Sequence, residues 1–389
     1  MRLIPTLASL ALACAPMGAA ACGGSFSTFV DGLKAEAIGL GHAPATVDAF
    51  FAGVQADPAV LRADRSQGVF QKPFLDFSRA LISQNRLDNG AANLARYSAI
   101  FDRAEGEFGV SRGVIAAFWA FETDFGAVQG SFNTRNALVT LAHDCRRPEL
   151  FRPQVLAAVE LFEQGGIDPA TTTGAWAGEI GMVQMLPGDI IEAGVDGDGD
   201  GRVSLKISPA DALLSGANVL RQLGWRANEP WLQEVTVPAT MDWSKTGLNT
   251  VMPATDWAAM GVAARGSGAL ADLPASLILP QGRKGPAFLA YPNFSTLFEW
   301  NQSFVYVTTA AYFATRLEGA PRYNAGNPDP GLSGDQMKAL QQKLVARGYD
   351  VGAIDGILGR LTRGAVQAEQ ARLGLPADAW PTVDLLNAL

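Results

Sequence analysis

Apolar residues recur at three- and four-residue spacing along most of the chain. Residues 28–38, 44–52 and 91–108 read as amphipathic helices divided by turn residues, with little strict alternation. Ser111 predicts the N-cap of a helix that runs to Phe125 and stops at Gly126. Further helical patterns occupy 153–164, 209–223 and 303–317. Between 229 and 292 the character changes. There "EVTVPATMDW" and "ASLILP" predict strands inside a loop-rich insertion dense in Gly and Pro. Residues 319–331 have no apolar period and read as a linker. From 332 to 389 a compact unit follows, with helical patterns at 335–347 and 362–373. The expectation is a mainly α protein: a catalytic-size domain over 22–318 with a small strand-containing insertion, then a small three-helix C-terminal domain.

Composition narrows the function classes. The chain has 389 residues, 48% hydrophobic and 17% charged, which suits packed domains and not a disordered polymer. Its formal net charge of −8 and scattered basic residues argue against a nucleic-acid partner. The first residues, "MRLIPTLASLALACAPMGAAACGG", combine Arg2, a short apolar run and small residues at Ala19 and Ala21, the pattern of a secretory signal over 1–21. No later segment offers about 20 uninterrupted apolar residues for a membrane span. With Cys14 in the signal, Cys22 and Cys145 remain in an oxidising compartment. A Cys22–Cys145 disulfide is the expected pairing, with lipidation of Cys22, for which Ala19 is a poor preceding residue, as the alternative.

Three segments carry candidate chemistry. In "AFWAFETDFG" (117–126), Phe118, Trp119 and Phe125 fall on one helix face with Glu122. Burial disfavours a charged carboxylate, so this acid either has a hidden partner or is held protonated for use as a general acid. In "GAWAGEIGMVQMLPGDI" (174–190), small residues permit close backbone approach, Trp176 offers an aromatic platform, and Gln184 brings a donor and an acceptor. Tight packing alone would explain the same segment, and Glu179 within it reads as a surface or loop acid. In "DGDGDGRVSLKI" (196–207), Asp196, Asp198 and Asp200 occupy positions 1, 3 and 5 of a calcium-type loop, Gly201 position 6, and Arg202 supplies its carbonyl. Ile207 stands where the closing acid usually is, and Asp211 offers the missing oxygen. One structural Ca²⁺ is expected.

In this order the segments resemble the B-type lytic murein transglycosylases, a branch of the lysozyme-like superfamily. The "FGV…FETDFG" run resembles the family's catalytic-acid stretch, which implies that Glu122 is the acid. "AGEIGMVQMLP" resembles its glycan-site segment and implies that Gln184 faces the cleft. "VDGDGDGRVSLKISPADALLSGANVLRQLGW" resembles its calcium loop, with the late ligand from Asp211. "NFSTLFEWNQSFVYVTTAAYFATRL" implies that Asn301, Ser303 and Tyr306 lie near the sugars, although Trp300 stands where the family has Tyr. The C-terminal "LQQKLVARGYDVGAIDGILGRLTRGAVQAEQARLGL" resembles the small helical peptidoglycan-binding module, with Asp355 and Thr362 at its hallmark positions, and the resemblance implies that these two residues bind the wall polymer.

The resemblance implies an exported enzyme that cuts the β-1,4 bond between N-acetylmuramic acid and N-acetylglucosamine and leaves 1,6-anhydro ends, with Glu122 as acid and then base. Its implied partners are glycan strands, their stem peptides and cell-wall synthesis proteins. The expected location is the periplasm, with an outer-membrane lipoprotein as the alternative. Two rival functions are a muramidase-type hydrolase using Glu122 with Glu179 or Asp124, and a non-catalytic murein-binding protein.

Overall fold

A computed structural model describes residues 22–66, 72–266 and 268–389. The expected signal segment, 1–21, lies outside them. Cys22 and Cys145 are joined by a disulfide that closes a separation of 123 residues.

The helical periodicity is realised, with shifted ends. The predicted helix over 91–108 is two helices, Gln84–Arg96 and Ser98–Phe108, broken at Tyr97. Pro153 does not start a helix. It lies inside Pro148–Glu163, whose own first proline, Pro148, occupies the opening turn. The helix capped by Ser111 is Arg112–Thr123, and it stops earlier than the apolar pattern suggested. Asp124 and Phe125 both adopt positive φ, 51° and 60°, which ends the helical hydrogen-bond series. Phe125 therefore does not continue the helix face of Glu122. It packs edge-on against Trp119 instead, with ring centroids 5.5 Å apart.

Arg112–Thr123 is the central element of the main core. Phe118 and Trp119 are both buried on it, and Phe304–Leu317 packs alongside. The two helices are keyed by Phe121 stacked on Phe313 at 5.1 Å. Around them lie Pro148–Glu163, Pro209–Gln222 and Pro292–Trp300, all contributing to one apolar cluster.

The insertion is more strand-rich than its sequence pattern. It forms a five-stranded antiparallel sheet in the order Met252–Pro253, Pro274–Ile278, Ala287–Ala290, Leu232–Thr236, Ala263–Ala264. Two of these strands have only two residues each, too few to show a period of two. A second core, with Trp243, Trp257 and Tyr291, sits on this sheet.

The C-terminal helices Gly334–Ala346, Arg360–Arg372 and Val383–Ala388 enclose a third, small core. They dock on the sheet side. Arg363 lies over the Phe304 ring at 4.3 Å and donates to the Pro280 carbonyl at 2.7 Å. Gln367 donates to the Thr246 carbonyl, and Arg283 pairs with the buried Asp378 at 3.2 Å. The chain between residues 319 and 331 is tied down as well: Lys284 pairs with Asp329, and Trp380 Nε1 donates to the Asp329 carbonyl.

Candidate active site

Glu122 is half-buried one residue before the end of Arg112–Thr123. The helix packs its small residues, Ala116, Ala117 and Ala120, into the core and leaves Glu122 only partly covered near its C-terminal end. Two donors from the 300–306 segment converge on Oε1: the Tyr306 hydroxyl at 2.5 Å and Trp300 Nε1 at 3.3 Å. Trp300 is held flat by stacking on Phe118, 4.6 Å between centroids.

These contacts pull the acidity of Glu122 in opposite directions. Removal from water raises its pKa, while hydrogen bonds from Tyr306 and Trp300 stabilise the carboxylate and lower it. The charge of nearby Glu179 raises it further. Burial wins, and the pKa stands at about 7. Tyr306, buried and beside this acid, is pushed well above the ordinary phenol range. It is thus a donor at any pH where Glu122 titrates.

Glu179 was read from sequence as a surface or loop acid: it does lie in a loop, but its carboxyl turns inward instead of lying on the surface. Its Oε2 is buried with no hydrogen-bond partner among the described residues. Burial raises its pKa despite backbone N–H donors and the charge of Arg147. The signal was present in the crowding around it. A Cβ on Gly174 would meet the Glu179 carbonyl at 2.0 Å, so the backbone pair at 174 and 179 requires glycine.

The same segment is fastened to the acid helix, since Thr123 Oγ1 donates to the Met182 carbonyl at 2.6 Å. Gln184, at φ 53°, closes a tight turn between Ile180 and Met185. Its Nε2 donates to the Gly181 carbonyl at 2.7 Å and, at 3.4 Å, to the Gln129 carbonyl, so the amide nitrogen is already engaged. Trp176 is half-buried against the core. Asn301 accepts from Ser303 N, and Ser303 in turn caps the helix that carries Tyr306. Asn301 and Ser303 therefore shape the turn that delivers Trp300 and Tyr306. Asp124, the other acid near Glu122 in sequence, is turned away and paired with Arg86 at 3.1 Å.

In the acidic loop, oxygens of Asp196, Asp198 and Asp211 lie within 4.8 Å of one another. Asp211 is fully buried and accepts from the N–H groups of Gly197 and Ser204, which folds the loop back on the helix start. Asp200 stands outside this group and accepts from Arg202 N. The all-oxygen donor set fits a hard divalent cation. In the C-terminal unit, Asp355 and Thr362 surround the buried Gln341 side chain rather than open surface. Asp355 Oδ1 accepts from Ile357 N, and the buried Thr362 hydroxyl faces the Val351 carbonyl.

Comparison with known proteins gives two family matches: a transglycosylase SLT domain over residues 25–315 and a peptidoglycan binding domain over 333–389. A structure of SltB3 from Pseudomonas aeruginosa in complex with NAG-anhNAM-pentapeptide is 38% identical, covers 94% of this chain and 99% of that one, and superposes with a TM-score of 0.86. The membrane-bound lytic murein transglycosylase B of Escherichia coli is 29% identical over 153 residues, 39% of this chain and 42% of that protein. The Escherichia coli Slt35 structure in complex with calcium is 23% identical and shares the fold, with a TM-score of 0.66 over 76% of this chain and 95% of that one.

Proposed function

This chain belongs to the transglycosylase SLT family and carries a peptidoglycan-binding domain, and from that premise we propose that it is an exported lytic murein transglycosylase. The observation that carries the reading is a single carboxyl, Glu122, with its pKa raised to about 7 and two fixed donors on one oxygen. A carboxyl in that range is protonated often enough to act as an acid and is basic enough to take a proton back.

In the proposed cycle Glu122 gives its proton to the glycosidic oxygen as the bond to muramic C1 breaks. The resulting carboxylate, steadied by Tyr306 and Trp300, faces the oxocarbenium-like sugar. It then takes the proton of the C6 hydroxyl as O6 bonds to C1 of the same ring. One bond breaks, one forms, and Glu122 ends protonated with no water consumed. An internal hydroxyl has a high effective concentration, so no water-activating base is needed. Asp124 is unsuited to that second role, since Arg86 holds it.

The neighbouring residues follow from this reading. Trp176, Gln184, Asn301 and Ser303 line or shape the sugar cleft. Asp196, Asp198 and Asp211 hold one Ca²⁺ that would fix the loop before Pro209–Gln222 as a structural ion, with no part in bond cleavage. The C-terminal domain keeps the enzyme on the wall, where Asp355 and Thr362 fix the fold of the binding module. Among the described residues no helix is long and apolar enough to cross a membrane.

Mass spectrometry of murein digested by the wild type and by Glu122→Gln tests the proposal. Anhydromuramic ends from the wild type alone are expected. Reducing muramic ends would establish hydrolysis instead, and digestion by the variant would remove Glu122 from the chemistry.

A further inference from the structure

A concavity that Glu122 does not line lies beside the helix Phe304–Leu317 and has a volume of about 320 Å³. Its polar wall is Ser78, Arg79, Tyr312, Arg316, Arg322 and Tyr323, and among the described residues no carboxylate lines it. Among the described residues none of the three arginines makes an ion pair, in a protein whose formal net charge is −8. Arg316 Nε is buried without a hydrogen-bond partner.

The hydroxyls are set in place around these cations. Tyr323 OH shares a hydrogen bond with Ser78 Oγ at 2.8 Å, and Tyr312 OH accepts from Tyr323 N at 2.9 Å. Arg316 Nη1 reaches the same Tyr312 oxygen at 3.4 Å. Guanidinium groups repel one another, so grouping three around one hollow without an acid leaves a site that an anion would complete. Their planar forks match a carboxylate in two-point fashion, and phenols and a serine add neutral donors.

We propose that this cavity binds a carboxylate of the stem peptide attached to a muramic residue held in the cleft. The assignment rests on the glycan-cleaving reading above. Reach supports it. Tyr306, at the acid, and Arg316 are on one helix, and ten residues of helix rise about 15 Å. A five-residue peptide in extended form spans about 17 Å. A stem of that length on a sugar near Glu122 is therefore long enough to reach the arginines. The cavity would select wall fragments by peptide charge, a task the sugar cleft does not perform.

Calorimetric titration of the full chain in the Glu122→Gln background tests this. The probes are a disaccharide-pentapeptide with free carboxylates, the same fragment fully amidated, and the free pentapeptide. We expect amidation to weaken binding on the order of tenfold, the scale of losing a charge-assisted hydrogen bond. Arg79→Glu with Arg322→Glu should weaken the acidic probe equally; both side chains are on exposed residues, so the variant should melt with its parent. Equal affinity for acidic and amidated probes overturns the proposal, as does indifference to the charge reversal. Displacement of the peptide by inorganic phosphate at matching concentration would reassign the cavity to phosphate and overturn it too. The free pentapeptide separates the two readings. Its arginine-dependent binding alongside murein digests without anhydro ends would sink the transglycosylase and leave the cavity standing.

Discussion

The Tyr306 hydroxyl donates to Glu122 Oε1 at 2.5 Å across a separation of 184 residues. This bond opposes the burial that raises the acid, because a donor favours the charged form. The same bond strengthens as the carboxylate forms, so Tyr306 should favour the state reached after proton transfer to the sugar oxygen.

Tyr306→Phe should therefore move the acid further from its ordinary value. A hydrogen bond to a charged group is worth roughly 1.5 kcal/mol, about one pKa unit. We expect the alkaline limb of the pH–rate profile, set near pH 7 in the wild type by Glu122, to shift upward by about that unit. The maximal rate should fall on the order of tenfold. An unmoved limb would mean that the phenol does not act on the acid.

Glu179→Gln should shift the same limb the other way. Glu179 raises the Glu122 pKa through its charge, so neutralising it should lower the pKa and bring the rate down at lower pH. The maximal rate should stay within about tenfold of the wild type. A loss of several orders of magnitude would instead give Glu179 the second-carboxylate role of a hydrolase, and reducing ends in the wild-type digest would accompany it.

Much of this site was legible in the chain because its parts are local. Glu122 in an aromatic helix and the 1-3-5 spacing of Asp196, Asp198 and Asp200 both announce themselves within a few residues. What could not be read locally was which distant side chain closes on which. The direct contact of Trp300 with the acid, the inward turn of Glu179 and the docking of Arg363 on Phe304 depend on tertiary packing. The early end of the acid helix was hidden for a related reason. Asp124 is a residue type that tolerates positive φ, but Phe125 is not, and Phe125 packs there against Trp119 while Asp124 pairs with Arg86. The short strands Met252–Pro253 and Ala263–Ala264 exist because longer neighbours pair with them.

The perturbed acid also has a stability signature. Its pKa rises from an ordinary 4.5 to about 7 on folding, so the folded state prefers the neutral form. That preference is fully present below the unfolded value and is lost as pH rises through the folded one. At pH 8 the wild type then holds a disfavoured charge worth at most about 3 kcal/mol, converted at 1.36 kcal/mol per unit. Glu122→Gln should melt higher than the wild type at pH 8 and close to it at pH 4. Equal melting temperatures at both values would show that the carboxyl is freely hydrated.

Calcium removal probes the loop before Pro209–Gln222. If Asp196, Asp198 and Asp211 hold one ion, chelation should lower the melting temperature, and calcium added back should restore it. Ligand at a hundredfold excess over its Kd stabilises by about 2.7 kcal/mol. In a domain of this size each kcal/mol moves the midpoint by about 2–4 °C, so a shift of roughly 5–10 °C is expected. The three carboxylates should not respond alike. Asp198→Asn should abolish the calcium response while leaving the chelated protein near wild type. Asp211 also accepts backbone N–H groups from Gly197 and Ser204 in a fully buried position. Asp211→Ala should therefore lower the melting temperature even in chelator, by an unsatisfied-donor cost of about 1–3 kcal/mol. A wild type indifferent to calcium would leave Asp211 its role as a loop anchor and remove the metal from the picture.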